Sequence, residues 1–367
     1  MGQVLVQTMS ELPVSDLPII HLIHSSGFYG AERVLLDHCV LMPGQHQVVF
    51  IEAPPELIER FRQAQIECQN CNGLLALLKL LQGRSMLLNA HNFKAQVFAL
   101  LCAWRLRLPL IWTQHGFTPR SAKQKFYTWL SLRLCRSRKV HRVVCVAQSI
   151  ARLHQQAGVK PEKLQVIPNG LPEQHAPGEN LRDPQAPLVG FVGRLSQEKG
   201  PDLFLDALIP LCRQRPDLKA VLLGDGPMKE ALYQRIKDAG LQLQILMPGY
   251  QNNMHSWVKR LNVLVLSSRT EGTPMILLEA MQAGTPVTAF AVGGIPDMIE
   301  HRTHGLLAQP LDSTALAGHV AELLDSPALA LGLSQAAWNL QREHYHLPQL
   351  AEHWQTLYRA ACKVLTR

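Results

Sequence analysis

The chain has 367 residues, 47% of them hydrophobic, and no low-complexity tract, which excludes a disordered or fibrous polymer and makes two domains the default. No run of about 18 apolar residues occurs, so no membrane-spanning helix is expected, and the first residues lack the basic and apolar regions of a secretory signal. The net charge of +8 is uneven: residues 1–172 carry 19 Lys and Arg against 9 Asp and Glu, and residues 173–367 carry 17 against 19. An anionic partner is therefore expected for the first half alone. The eight cysteines are scattered, and Cys68 and Cys71 form the one CxxC pair, with no second pair to complete a zinc site. Buried free thiols in a reducing cytoplasm are the expectation.

In chain order, 19–24 is a short apolar run that ends in a loop with Gly27 and Gly30, and a helical pattern follows. Strand, glycine loop and helix make the first unit of a doubly wound α/β domain, although the glycines do not form GxGxxG. The loop suits either a phosphate or sugar that approaches closely or a tight turn. Strands at 47–51, 85–90 and 109–113 alternate with helices at 55–65, 74–81 and from about 93 to Trp104, which predicts a parallel sheet. His91 and His115 fall at the carboxyl ends of two of these strands, where such sheets bind ligands.

Residues 120–142 hold eight Lys and Arg interleaved with Phe126, Tyr127, Trp129, Leu130, Leu132 and Leu134. They read either as a basic amphipathic helix on an anionic membrane surface or as a solvated helix with its apolar face in the core. No DNA or RNA motif accompanies them, so no nucleic-acid partner is expected. A strand at 142–147, a helix capped by Ser149 and a strand at 163–167 complete the first half.

Residues 173–187, with prolines at 177, 184 and 187, read as a linker between domains 1–172 and 188–345, and a final helix at 348–365 could pack on either. The second half repeats the pattern with strands at 188–192, 219–223, 244–247, 262–266 and 285–290. The loop after the first of these carries Arg194 and Lys199, a planar fork and a point charge suited to a diphosphate.

The stretch 267–287 holds Glu271 and Glu279 on either side of a Gly-Thr-Pro turn that leads into a helix, with Pro274 expected at the first helical position and Gly284 just past the end. A helix N-terminus with unpaired N–H groups suits a phosphate. A carboxylate on each side can then accept from hydroxyls on each side of that phosphate. Sugar, diphosphate and ribose follow this order in a sugar nucleotide.

Taken together, GRLSQEKG, GDGP, SSRTEGTPMILLEAMQAGTPV, AVGGIPDMIE and HGLL resemble the retaining glycosyltransferases of family four, group 1, and the likeness extends to the FYGAERVL loop, TQHG and VIPNG. The resemblance implies a GT-B fold: α/β, with two Rossmann-like parallel-sheet domains facing across a cleft, the first for the acceptor and the second for the nucleotide sugar. It implies hexosyl transfer from a UDP- or GDP-sugar to an acceptor hydroxyl in polysaccharide, lipopolysaccharide or glycolipid synthesis. The alternative is a sugar-nucleotide epimerase, or a transferase with a small soluble acceptor.

By position, Arg194 and Lys199 would hold the diphosphate and stabilise the leaving nucleotide. Glu271 and Gly272 would meet the donor sugar, Glu279 the ribose, and the N–H groups of Thr273, Met275 and Ile276 the phosphates or sugar. His115 would lie beside the transferred sugar, Gly30 would admit the diphosphate, and Gly249 and Tyr250 would lie near the base. Pro274 departs from the family's usual Glu-Gly-Phe-Gly and removes one N–H donor. No DxD triplet occurs, so no metal or other cofactor is expected, and the protein is expected to be cytoplasmic and peripheral at the membrane face.

Overall fold

A computed structural model of the chain describes residues 17–116, 122–172, 182–183 and 186–363. Most of the expected linker at 173–187 lies outside these residues. The chain divides into two compact units, one of Met1–Pro172 with Leu347–Arg367 and one of Glu173–His346.

The first unit begins with β1 (Ile19–His24), α1 (Gly30–Leu41), β2 (His46–Ile51), α2 (Pro55–Gln63), β3 (Glu67–Cys71), α3 (Leu74–Leu81) and β4 (Leu87–Ala90). It continues with α4 (Phe93–Leu106), β5 (Leu110–Gln114), α5 (Ala122–Leu134), β6 (Val140–Cys145), α6 (Gln148–Gln156) and β7 (Leu164–Val166). The strands form one parallel sheet in the order β3-β2-β1-β4-β5-β6-β7.

The second unit holds β8 (Leu188–Val192), α7 (Pro201–Gln214), β9 (Lys219–Leu223), α8 (Lys229–Asp238), β10 (Ile245–Gly249), α9 (Met254–Arg260) and β11 (Val263–Leu266). After these come α10 (Met275–Gln282), β12 (Val287–Phe290), α11 (Ile295–Met298), β13 (Leu306–Ala308), α12 (Ser313–Asp325) and α13 (Pro327–His344). Its sheet is also parallel, in the order β10-β9-β8-β11-β12-β13. The last helix, α14 (Leu347–Cys362), belongs to the first unit.

Central strands of a parallel sheet are covered on both faces, so they read as near-continuous apolar runs. On one face of the first sheet Leu22, Leu88, Leu110 and Trp112 pack in one core with residues of α3, α4 and α6. On the other face Ile19, Leu87 and Ile111 pack against Leu347, Leu350, Ala351, Trp354, Leu357, Tyr358 and Ala361 of α14. That helix series recurs at three- and four-residue spacing, so it forms one stripe. Each large apolar side chain in it contributes about 1.5–3 kcal/mol on burial.

Several elements depart from the sequence reading. The expected helix over 120–142 is helical only to Leu134: Arg136 N donates to Arg133 O and Ser137 N to Leu134 O, which turns the chain into β6. Ala147, not Ser149, is the N-cap of α6. Strand β3, ECQNC, is polar because it is the sheet edge, and Cys68 and Cys71 both lie on it. All eight cysteines are buried and free.

Candidate functional site

In each sheet the strand order reverses at one place, between β1 and β4 in the first unit and between β8 and β11 in the second. Loops leaving the carboxyl ends of strands at such a point splay apart and leave a crevice for a ligand. Of the expected site residues, Arg194 and Lys199 fall on the loop after β8, Glu271, Gly272 and Thr273 on the loop after β11, and His91 on the loop after β4.

In the second unit the loops are laced together through their backbones. Gly193 N donates to Leu223 O at 3.0 Å, Leu195 N to Asp225 O at 2.9 Å and Arg269 N to Glu198 O at 2.8 Å. Gly200 is left-handed, φ 63°, and a Cβ there would lie 2.0 Å from Ser267 O, while Ser267 Oγ donates to Gly200 O at 2.7 Å. Thus the start of α7 is fixed to the end of β11. Arg269 strengthens this junction, with its guanidinium donating to both oxygens of Asp202 at 2.9 and 2.6 Å.

Glu271 sits inside this framework. Lys199 Nζ donates to its Oε1 at 2.7 Å and to its Oε2 at 2.8 Å, and Ser268 Oγ donates to Oε1 at 2.6 Å. Its side chain is 7% exposed and that of Lys199 is 33% exposed. Its carbonyl accepts from Gly294 N at 3.2 Å, and a Cβ at left-handed Gly293, φ 56°, would lie 1.9 Å from that oxygen. The loop after β12 therefore holds the backbone of Glu271 while Lys199 and Ser268 hold its carboxylate.

Helix α10 starts at Met275, with Pro274 as its extended N-cap. This corrects the placement of Pro274 at the first helical position. Its ring brings no N–H, and its carbonyl accepts from Leu277 N at 3.1 Å. The N–H groups of Met275 and Ile276 are in the first turn, where helices have no internal acceptor to offer. Thr273 is buried and Gly272 half-buried just before them; Glu279 is half-buried a turn further on. Arg194 and Tyr250 are exposed, and Gly249 ends β10, where its carbonyl accepts from Gly224 N at 3.0 Å.

In the first unit, His91 follows β4 and His115 follows β5, and His91 Nδ1 lies 3.0 Å from His115 Nε2. Both line a cavity of about 290 Å³ together with Gln96, Gln114, Gln124, Tyr127, Thr128 and Ser131. Phe93 and Tyr127 stack beside it with ring centres 4.8 Å apart. The back wall is internally bonded: Ser131 Oγ donates to Gln96 Oε1 at 3.1 Å, and Gln96 Nε2 to Thr113 O at 3.4 Å. His115 Nδ1 is sheltered from solvent and has no hydrogen-bond partner among the described residues. Burial lowers the pKa of His115 to about 4, so its ring is neutral near pH 7. Gly30 is the first residue of α1, and a Cβ there would meet nothing within 4 Å.

The structure thus brings Lys199 to Glu271 and His91 to His115. Sequence reasoning missed Ser268, which lies three residues before Glu271, and the histidines behind His91. His21 Nδ1 is 2.9 Å from His91 Nε2, and His21 Nε2 is 2.9 Å from His46 Nδ1. His38 lies beside them, with Tyr358 Oη 2.9 Å from its Nε2. The sequence signal for Ser268 was its place in the motif; the histidines had none, because sheet order alone joins them.

Comparison with known proteins adds a family-level finding. The model described as glycosyl transferases group 1 matches residues 173–339, and the model described as glycosyltransferase family 4 matches residues 28–175. Over 357 residues the chain is 25% identical to the UDP-Gal:alpha-D-GlcNAc-diphosphoundecaprenol alpha-1,3-galactosyltransferase of Escherichia coli, covering 88% of this chain and 90% of that protein. Over 173 residues it is 34% identical to the lipopolysaccharide core biosynthesis mannosyltransferase LpsB of Rhizobium meliloti, covering 44% of this chain and 49% of that protein. Several other curated relatives are likewise matched over less than half of their length. Among solved structures, Anabaena HepE in complex with UDP-glucose superposes with a TM-score of 0.81 at 21% identity, covering 95% of this chain and 99% of that one. This likeness shows the fold, two parallel-sheet α/β units of the GT-B type.

Proposed function

The chain belongs to the group 1 glycosyltransferases of family four, and we propose that it moves a hexosyl group from a UDP- or GDP-sugar to an acceptor hydroxyl with retained anomeric configuration. The observation that carries this reading is the clamp of Lys199 and Ser268 on Glu271, next to the first turn of α10. An ammonium has three N–H donors, and Lys199 directs two at Glu271, which leaves the third for a diphosphate oxygen. A carboxylate accepts at about four positions. Three are taken by Lys199 and Ser268, and the fourth suits a hydroxyl of the donor sugar.

Exposed Arg194 adds a second cation, and the N–H groups of Met275 and Ile276 add the positive end of a helix. Glu279 suits the ribose hydroxyls, and Gly249 and Tyr250 suit the base. These groups supply the charge that a divalent ion would otherwise bring, so the transfer is metal-independent. The nucleotide departs, the acceptor attacks from the same face, and the leaving phosphate oxygen takes the acceptor proton. The protein positions the reactants and stabilises the charge that develops.

The names of the E. coli and R. meliloti relatives support a lipid-linked or lipopolysaccharide acceptor. The surface of the first unit supports a peripheral membrane position. Leu101 and Trp104 on α4 and Phe126 and Trp129 on α5 are exposed, Trp104 at 73%, and α4 packs against α5. Arg133 lies over the Trp129 ring at 5.3 Å. Aromatic residues flanked by Arg and Lys suit an anionic interface. No described helix is long and apolar enough to cross a membrane.

The test is nucleotide release from UDP-glucose, UDP-galactose and GDP-mannose. One of these is turned over in EDTA, and Arg194→Ala lowers the rate by about 10² to 10³. A near-wild-type rate in that variant sinks the site assignment, and activity that EDTA abolishes and Mg²⁺ restores sinks the metal-free mechanism. Failure to float with anionic vesicles removes the membrane position.

A further inference from the structure

Behind the cavity of the first unit four imidazoles form one hydrogen-bonded line: His46 Nδ1 to His21 Nε2 at 2.9 Å, His21 Nδ1 to His91 Nε2 at 2.9 Å, and His91 Nδ1 to His115 Nε2 at 3.0 Å. The line crosses the sheet diagonally. Ile19 pairs with His46, His21 with Asn89, and Asn89 with Ile111. Each histidine therefore stands two residues further along its strand than the register partner of the one before. An advance of two keeps every ring on the same face of a pleated sheet, the face that α14 covers. Ring centres along the line are 5.2, 5.2 and 5.3 Å apart.

The line has a fixed end. His46 Nε2 lies 3.4 Å from Pro43 O, and a carbonyl oxygen can only accept. His46 must then carry its proton on Nε2, which leaves its Nδ1 to accept from His21. The same choice repeats at each ring, since a neutral imidazole has one donor and one acceptor. It ends at His115 with a proton on Nε2 and a bare Nδ1, the sheltered nitrogen that has no hydrogen-bond partner among the described residues. Burial keeps the rings neutral: it lowers His21 and His91 well below the usual imidazole range and brings His46 and His115 to about 4.

We propose that His46, His21 and His91 are positioning residues that lock His115, which lines the cavity beside Gln96, Gln114 and Thr128, in its Nε2–H tautomer and so fix its ring for the transferred sugar. The assignment of a sugar rests on the hexosyl-transfer reading; the tautomer does not. A competing use of the same atoms exists, because His21, His46 and buried Cys39 place three potential ligand atoms within 4.8 Å of one another. A metal ion there would take the lone pairs that the line needs, so the two uses exclude each other.

The first measurement is long-range ¹H–¹⁵N correlation of the ring nitrogens in ¹⁵N-histidine-labelled full-length protein at pH 7, with no substrate added. All four rings are expected as Nε2–H. A protonated or averaged Nδ1 at His115 overturns the proposal, and so does a stoichiometric metal ion that is lost in Cys39→Ala. The second measurement is turnover of whichever UDP- or GDP-sugar the wild type accepts. His91→Gln keeps a donor and an acceptor in line and stays within about threefold of wild type, whereas His91→Leu breaks the line and lowers kcat about tenfold with KM little changed. Equal rates for the two variants, or a wild-type tautomer spectrum for His115 in His91→Leu, refute the relay. If His91→Leu does not fold, His46→Leu removes the fixed end of the line, three rings from His115. If no nucleotide sugar is turned over, the hexosyl reading fails while the wild-type spectrum still decides the tautomer.

Discussion

The two units solve one problem with different chemistry. Both gather candidate site residues at the carboxyl ends of a parallel sheet, around the place where strand order reverses. The second unit does so with full charges and close backbone contacts: Lys199 on Glu271, Arg269 on Asp202, and glycines at 200 and 293 that admit neighbouring carbonyls. The first unit uses neutral groups, with imidazoles, amides and hydroxyls bonded to one another behind a small cavity. Charge suits a diphosphate that arrives ionised, whereas a directional neutral acceptor suits a hydroxyl. The difference shows that a repeated scaffold leaves site chemistry to a few loop and strand-end positions.

The largest test of this contrast is acid. His21, His38, His46, His91 and His115 all have pKa values lowered by burial, His46 and His115 to about 4. Unfolded, each titrates near 6.5 and binds a proton that the folded form refuses. The stability they contribute is therefore full above pH 6.5 and falls as pH drops towards 4, by up to about 1.4 kcal/mol per pH unit for each proton. Hydrogen exchange between pH 7 and pH 4.5 is expected to open first-unit peptides before second-unit peptides, and the reverse order breaks the comparison.

Next in size is Gly293→Ala, which would drive a Cβ into Glu271 O at a left-handed backbone. It is expected to destabilise the second unit by about 3 kcal/mol in urea unfolding and to displace Glu271. Glu271→Gln removes the charge and leaves the shape. It should lower nucleotide-sugar turnover about 10²-fold in a steady-state assay while the fold survives. The smallest effect is Arg269→Ala, which loses a partly exposed pair with Asp202. About 1 kcal/mol of stability and little activity should go in a thermal melt.

Legibility in the sequence follows the same divide. The strands of both sheets read correctly where they are apolar and central; β13 escaped because it is only three residues long, and β3 because an edge strand has no need to be apolar. There Asn70 bonds Ala53 through its side chain instead, Nδ2 donating to the carbonyl and Oδ1 accepting from the N–H. Lys199 and Glu271 could be named because each lies in a run whose glycines and prolines advertise a turn. His91 and His115 could be noticed as strand ends. His21 and His46 could not, since nothing local distinguishes a strand histidine that faces solvent from one bonded to the next strand. Nothing in the composition ends the basic helix at Leu134, because Arg and Lys continue past it and the turn into β6 is made by backbone bonds.

The position of α14 has a consequence for synthesis. The second unit is one unbroken segment, but the first needs Leu347–Cys362 to cover Ile19, Leu87 and Ile111, and Tyr358 to reach His38. From Pro172 to the end of α14 about 190 residues must still be added, which takes roughly 10–40 s at translation rates of about 5–20 residues per second. During that interval one face of the first sheet stays open while the second unit is made and can close on itself. The unit that is begun first is therefore the one completed last.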